Sequence, residues 1–337
     1  MSALEKRISS KSEEMNFSGV AHLVQNGQLI LHKAYGYANR SEKLENNIDT
    51  RFGIASGCKL FTAIAICQLV EQGKLTFHTK LKDCLSVPFP NFSEEITVHH
   101  LLTHSSGVPD YFDEEVMDDF EDIWKEIPMY LMKNTRDFLP LFQNGKMKFS
   151  PGERFHYNNT GFLLLGLVIE QLSGMSVTSY VEEHIFKRCN MDKSGYYSLD
   201  RLPNNTALGY IDEANGMWRT NLYSLPIIGG ADGGAFITTS NMINLWQAVR
   251  EHNLLSETMT GLLFTSHVQT GQGGCYGYGV WIEESTALGR KYHVMGYDPG
   301  VSFASAYYPE RDCIVVITSN KSSGPHDILE VIEKEWK

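Results

Sequence analysis

Ser56 and Lys59, in GIASGCKLFTA, stand three residues apart where a strand-like run gives way to a long apolar stretch. Three residues is nearly one helical turn, so both side chains share a face. A serine hydroxyl is a weak nucleophile and needs a neighbouring base. A lysine serves if desolvation lowers its pKa enough to leave it partly neutral. A helix starting here adds free backbone N–H groups that favour developing negative charge. Ser56 as a simple helix cap fits the isolated triplet at least as well.

A second constellation lies farther along. FSPGERFHYNNTGFLLLG sets Tyr157 and Asn159 at Y-x-N spacing just before another apolar helix. Tyrosine can relay a proton; asparagine can hold a substrate amide or orient the lysine. Taken singly, they also suit a packed aromatic and a helix cap.

The elements that must position these residues follow from periodicity. Residues 2–14 read as a helix, and GVAHLV, Asn26-Gly27 and QLILHKAYGYA as a β-hairpin with a type I′ turn. YGYGVWIEE, KYHVMGY, VSFASAYY and CIVVITSN read as successive strands, with 309–312 a turn and the C-terminal segment a helix. LFTAIAICQLVEQGKL and GFLLLGLVIEQLSG are helical, stopped at Gly73 and Gly174. The expected organisation is a sheet domain from both chain ends, 1–58 and 230–337, with a mainly helical domain, 59–229, inserted between them.

Together these segments resemble the class C β-lactamase, DD-peptidase and esterase superfamily of penicillin-binding-protein-like serine hydrolases, in which S-x-x-K is a known motif. HHLLTHSSGVPDY, FSPGERFHYNNTGFLLLGLVIEQLSG and GGADGGAFITTSNM follow the family's order, and the likeness runs from about Phe17 to Asn320. It implies an α+β, β-lactamase/transpeptidase-like fold: an antiparallel sheet flanked by helices, with an inserted all-helical domain. It also implies roles. Ser56 would attack a carbonyl, Lys59 and Tyr157 would shuttle its proton to the leaving group, and Asn159 would line the pocket. Backbone N–H groups of Ser56 and Tyr297 would form the oxyanion hole, each worth roughly 3 kcal/mol.

The third family motif departs. GRKYHVMGYDPGVSF, anchored by Gly296, puts Val294 and Met295 where Lys-Thr would stand. His293 lies one position earlier, and strand alternation turns it to the other face unless a bulge intervenes; it is kept as a candidate on that condition. The lost lysine normally meets the carboxylate of β-lactams and D-Ala-D-Ala peptides, so an esterase or amidase on a less acidic substrate gains ground. A DD-peptidase or β-lactamase is the alternative; a non-catalytic binding or sensing protein is the rival of another class.

Other features receive plainer readings. His104 and Ser105 are read as structural, Cys58 as a small buried filler, and Gly233 and Gly234 as a tight backbone approach near the pocket. Asp110 to Glu126 carries nine acidic residues against Lys125 alone. It lacks calcium-loop spacing and reads as a solvated excursion rather than a lid or cation site. Net charge is −11 with no basic run, which excludes a nucleic-acid binder and disfavours anionic membranes. Six scattered cysteines suggest free thiols in a reducing compartment, and neither a metal nor a cofactor is expected. With no signal-like N-terminus the expected location is cytoplasmic, or exported if a leader was removed. A monomer acting on a small molecule or short peptide is the default.

Overall fold

Asn26 and Gly27 both take positive φ, 50° and 69°, as a two-residue type I′ turn requires. The flanking chain pairs as the antiparallel hairpin of β1 (Gly19–Gln25) and β2 (Gln28–Tyr35). This computed structural model describes residues 2–271, 273–285 and 287–336; Met1 and Lys337, the outermost residues of the expected sheet segments, lie outside them. The remaining sheet strands come from the C-terminal part. They are β3 (Val268–Gln269), β4 (Cys275–Tyr276), β5 (Trp281–Ser285), β6 (Gly289–Asp298), β7 (Val301–Tyr308) and β8 (Cys313–Ser319). Their spatial order is β2-β1-β8-β7-β6-β5-β4-β3, with every pairing antiparallel.

The sheet therefore closes between its earliest and latest strands, with Gly19 opposite Ser319. Strand β8 is buried at every position, the signature of a strand covered on both faces. Val315 and Ile317 face a core with Ile8, Ile328 and Ile332 of helices Ala3–Glu14 and Pro325–Lys334. Ile314 and Val316 face the larger core on the other side. There lie helix α1 (Lys59–Glu71), helix α2 (Asn159–Ser173) and helix α3 (Thr239–Arg250).

Helix α1 is buried from Lys59 through Leu69, so its apolar residues run all round rather than along one stripe. Helix α2 is buried from Asn159 through Ile169 and stops at Gly174, whose φ of 73° supplies the left-handed cap. The expected strand YGYGVWIEE is broken between β4 and β5. Gly279 there has φ 69° and approaches α1 so closely that a Cβ would meet Lys59 O at 2.8 Å. The inserted segment is less helical than its two apolar runs suggest. Between them stand helices of three to five residues, and residues 210–220 form a small strand pair. These pieces are ordered by tertiary packing, with too little periodicity to announce themselves. Among the described residues no single helix is long and apolar enough to cross a membrane.

Candidate active site

The chain leaves its short pairing with Phe236–Ile237 at Gly53 and turns through a 3-10 segment, Ala55–Cys58, into α1. Ala55 is held at φ 45°, a strained region for a residue with a Cβ. Its carbonyl explains how the strain persists, because it accepts from Gly234 N at 3.3 Å and from the Cys58 thiol at 2.9 Å. The same sulfur accepts from Ala235 N at 3.2 Å. Cys58 is thus both a filler and a clasp on the turn that presents Ser56. Burial pushes its thiol up to about 12, so it stays protonated and unreactive.

Lys59 is 2% exposed and its Nζ donates three bonds: to Ser56 Oγ at 2.9 Å, Asn159 Oδ1 at 2.8 Å and Asp232 O at 2.8 Å. Asn159 is oriented by its other end, whose Nδ2 faces Asp110 Oδ2 at 3.4 Å and Phe112 O at 3.3 Å, both acceptors. Two of the three lysine partners are carbonyls and can only accept. When Lys59 loses a proton, its two remaining N–H groups stay on those carbonyls and its lone pair faces the Ser56 hydroxyl. Desolvation lowers its pKa below the ordinary lysine value, against the opposing pull of Asp232 and Asp110.

Tyr157 lies in hydrogen-bonding reach of the Ser56 side chain, with its ring centroid 5.0 Å from Lys59 Nζ. Burial, opposed by the bond to Ser56, holds its hydroxyl well above the usual value. It therefore stays a phenol at neutral pH. Its ring packs on His104 at 4.4 Å and on Trp281 at 6.0 Å. His104 is buried and accepts from Asn158 N at 3.0 Å, and desolvation holds it neutral. Its place is structural.

Gly296 of β6 lies against the turn that carries Ser56: a Cβ there would come to 2.1 Å from Ile54 O and 2.8 Å from Ser56 N. Gly233 faces the same turn with more room: a Cβ added there would lie 3.6 Å from Ala55 C. Tyr297 lines the resulting cleft of about 550 Å³ together with Ser56, Asn159, Asp232 and Asp298.

Two expectations change. His293 does not join the Ser56 network. Its Nε2 is 3.0 Å from Glu283 Oε1 and its ring stacks on Trp281 at 6.4 Å. β6 pairs without a bulge through this region, so alternation turns His293 to the strand face opposite Gly296. Val294, at the motif's first position, is buried in the core. The acidic segment, in turn, is not solvated throughout. Asp110 accepts from Asn159 N at 2.7 Å and Thr160 N at 3.0 Å, so it anchors the first turn of α2. Glu114 borders the cleft. The sequence reading also missed Asp232, which comes from the glycine-rich loop before α3, and Asp298, the last residue of β6. Asp298 stands two residues past Gly296 and so shares its strand face, a signal that alternation carried.

A strained turn presenting a serine beside a buried lysine, at the junction of an antiparallel sheet and a helical layer, is the arrangement of the serine hydrolases built on the β-lactamase/transpeptidase-like fold. The chain belongs to the Beta-lactamase family, whose model matches residues 4–332. A penicillin-binding protein from Bacillus halodurans is 55% identical, with a TM-score of 0.93 over 97% of this chain and 99% of that one. A Bacillus subtilis (strain 168) protein provisionally named penicillin-binding protein PbpX is 28% identical over 317 residues, 94% of this chain and 73% of its own length. The D-amino acid amidase of Ochrobactrum anthropi SV3, complexed with L-phenylalanine, shares the fold at 18% identity. Its TM-score is 0.81, and 98% of each chain is covered.

Proposed function

We propose that this chain cleaves an ester or amide bond through an acyl-enzyme on Ser56. The observation that carries this reading is the three-acceptor setting of Lys59, which leaves its lone pair no direction but Ser56 once the amine is neutral. Ser56 Oγ bonds to the substrate carbonyl carbon while its proton passes to Lys59 Nζ. The carbonyl oxygen becomes an oxyanion held by the N–H groups of Ser56 and Tyr297. As the intermediate collapses, the leaving group departs with a proton delivered through Tyr157, which is replenished from Lys59. A water molecule then repeats the sequence on the acyl-enzyme, releasing the acid and restoring the Ser56 hydroxyl.

The role division follows from the two shifted groups: Lys59 is lowered toward neutrality and serves as base, while Tyr157 is raised and serves as a conduit in its phenol form. Among the described residues no lysine, arginine or histidine lines the cleft. That supports an ester or amide substrate without a carboxylate over penicillins or D-Ala-terminated peptides. The test is hydrolysis of a short activated ester beside a chromogenic cephalosporin, by wild type and Ser56→Ala. Turnover of the ester by wild type, falling at least about 10³-fold in the variant, is expected. Undiminished turnover in Ser56→Ala would end this reading.

A further inference from the structure

Asp232 gives Lys59 its backbone carbonyl, and its carboxylate has no part in that bond. The side chain is nevertheless 7% exposed, and an ionised carboxylate is costly to bury without partners. Its partner is Tyr111, whose hydroxyl donates to Oδ2 at 2.6 Å, within the range of charge-assisted O–H···O⁻ bonds. Burial keeps Tyr111 a phenol, so the donor persists. Tyr111 is fixed in turn, its N–H donating to Thr160 Oγ1 at 3.0 Å in the first turn of α2, the helix that also brings Asn159 to Lys59. The loop that carries Asp232 is pinned without this carboxylate. Thr62 Oγ1 donates to Ala231 O at 2.6 Å, Gly230 N to Gly233 O at 2.8 Å and Gly234 N to Ala55 O at 3.3 Å. A carboxylate that the loop's shape does not call on, buried beside a lysine, acts by its charge.

A base for the Ser56 proton must be neutral beforehand and still hold the proton once it has it. Burial alone drives Lys59 toward neutrality, and Asp232 is foremost among the charges that oppose it. Around Lys59 stand Cys58 from its own turn, Asp110, Glu114, His104 and Tyr157 from the helical layer, and Asp298 from the end of β6. Around Asp232 stand Tyr111, Tyr196, Cys58 and Asp298. Asp110 is committed to the N–H groups that start α2, and Glu114 is exposed.

We propose that Asp232, clamped by Tyr111, is a positioning residue acting through Lys59: its carboxylate is the counter-charge that keeps the buried lysine basic enough to take and hold the Ser56 proton. The inference rests on the hydrolase reading for its kinetic readout but not for its spectroscopic one. Asp232→Asn removes the charge while the amide oxygen can still accept from Tyr111. With the negative neighbour gone the ammonium is disfavoured, so the rising limb of kcat/KM against pH on a neutral ester should move down by about one unit or more. The rate should fall on the plateau but not below the limb, whereas a purely structural defect would lower it at every pH and leave the limb in place. Glu114→Gln, at an exposed position where water and salt screen the charge, should move the limb less. If Asp232→Asn fails to fold, Asp232→Ser removes the same charge with a smaller side chain and is read the same way. The ε-carbon NMR resonance of Lys59, titrated in Ser56→Ala with and without the Asp232 change, should show the same downward displacement and needs no turnover. A resonance that stays in place, a limb that stays in place in an active variant, or a limb moved as far by Glu114→Gln would overturn the proposal. A displaced resonance in a protein whose wild type hydrolyses no ester would sustain it and sink the hydrolase reading alone.

Discussion

Gly296→Ala isolates the contact between β6 and the turn that carries Ser56. The added Cβ would lie 2.1 Å from Ile54 O and 2.8 Å from Ser56 N, whereas ordinary contact begins near 3.4 Å. Strand and turn must therefore separate by more than 1 Å, and both carry a proposed oxyanion donor. A displacement of that size costs about 10²-fold in rate, and loss of one oxyanion donor costs about 10²–10³-fold. The two effects overlap, so kcat on an activated ester should fall about 10²–10³-fold with KM changing less than about tenfold. Overpacking should also cost about 1–3 kcal/mol of stability, measured by denaturant unfolding. Gly261→Ala is the control. Its Cβ meets nothing within 4 Å, and it sits in the helix Glu257–Leu263. A folded Gly296→Ala enzyme with kcat within about threefold of wild type would refute the assignment of β6 to the oxyanion site.

Two further outcomes follow from the burial of ionisable groups. Because Lys59 must be neutral to accept the Ser56 proton and its pKa is lowered, kcat/KM on a neutral ester should rise with pH along a limb lying below the ordinary lysine range. A profile flat across that limb would remove Lys59 as the base. All six cysteines are buried, and burial raises Cys58 to about 12 and Cys84 to about 11. The folded protein should therefore resist iodoacetamide at mildly alkaline pH, with all six thiols labelled once guanidinium unfolds it; mass spectrometry of the native sample showing labelled Cys58 would contradict the clasp described for it.

The parts of this molecule that could be read from sequence are those whose signal is local. Asn26-Gly27 announced its hairpin because two positive φ angles demand such residues. The Ser56–Lys59 and Tyr157–Asn159 pairs were visible because each lies within one helical turn or strand-like step. The alternation that moved His293 off the Gly296 face was equally legible, and so, in retrospect, was the return of Asp298 to it. Asp232 carried no such mark. It contributes a backbone carbonyl to Lys59, and a backbone acceptor has no sequence signature. Asp110 was hidden by its neighbours, since it opens a run of acidic residues whose later members are exposed. Only the docking of α2 against residues 108–112 distinguishes the half-buried, hydrogen-bonded Asp110 from the solvated ones.

The interlocked sheet has a consequence for how the molecule comes into being. Gly296 and Tyr297 are synthesised well after Ser56 and Lys59, and the β8 strand that seats β1 follows them. Pairing of β1 with β8 must await that distant strand, which makes assembly of the sheet slow. The nascent polypeptide thus carries Ser56 before the strand that the proposed oxyanion site requires. On the proposed mechanism, synthesis of β6 rather than of Ser56 is the step that arms the serine.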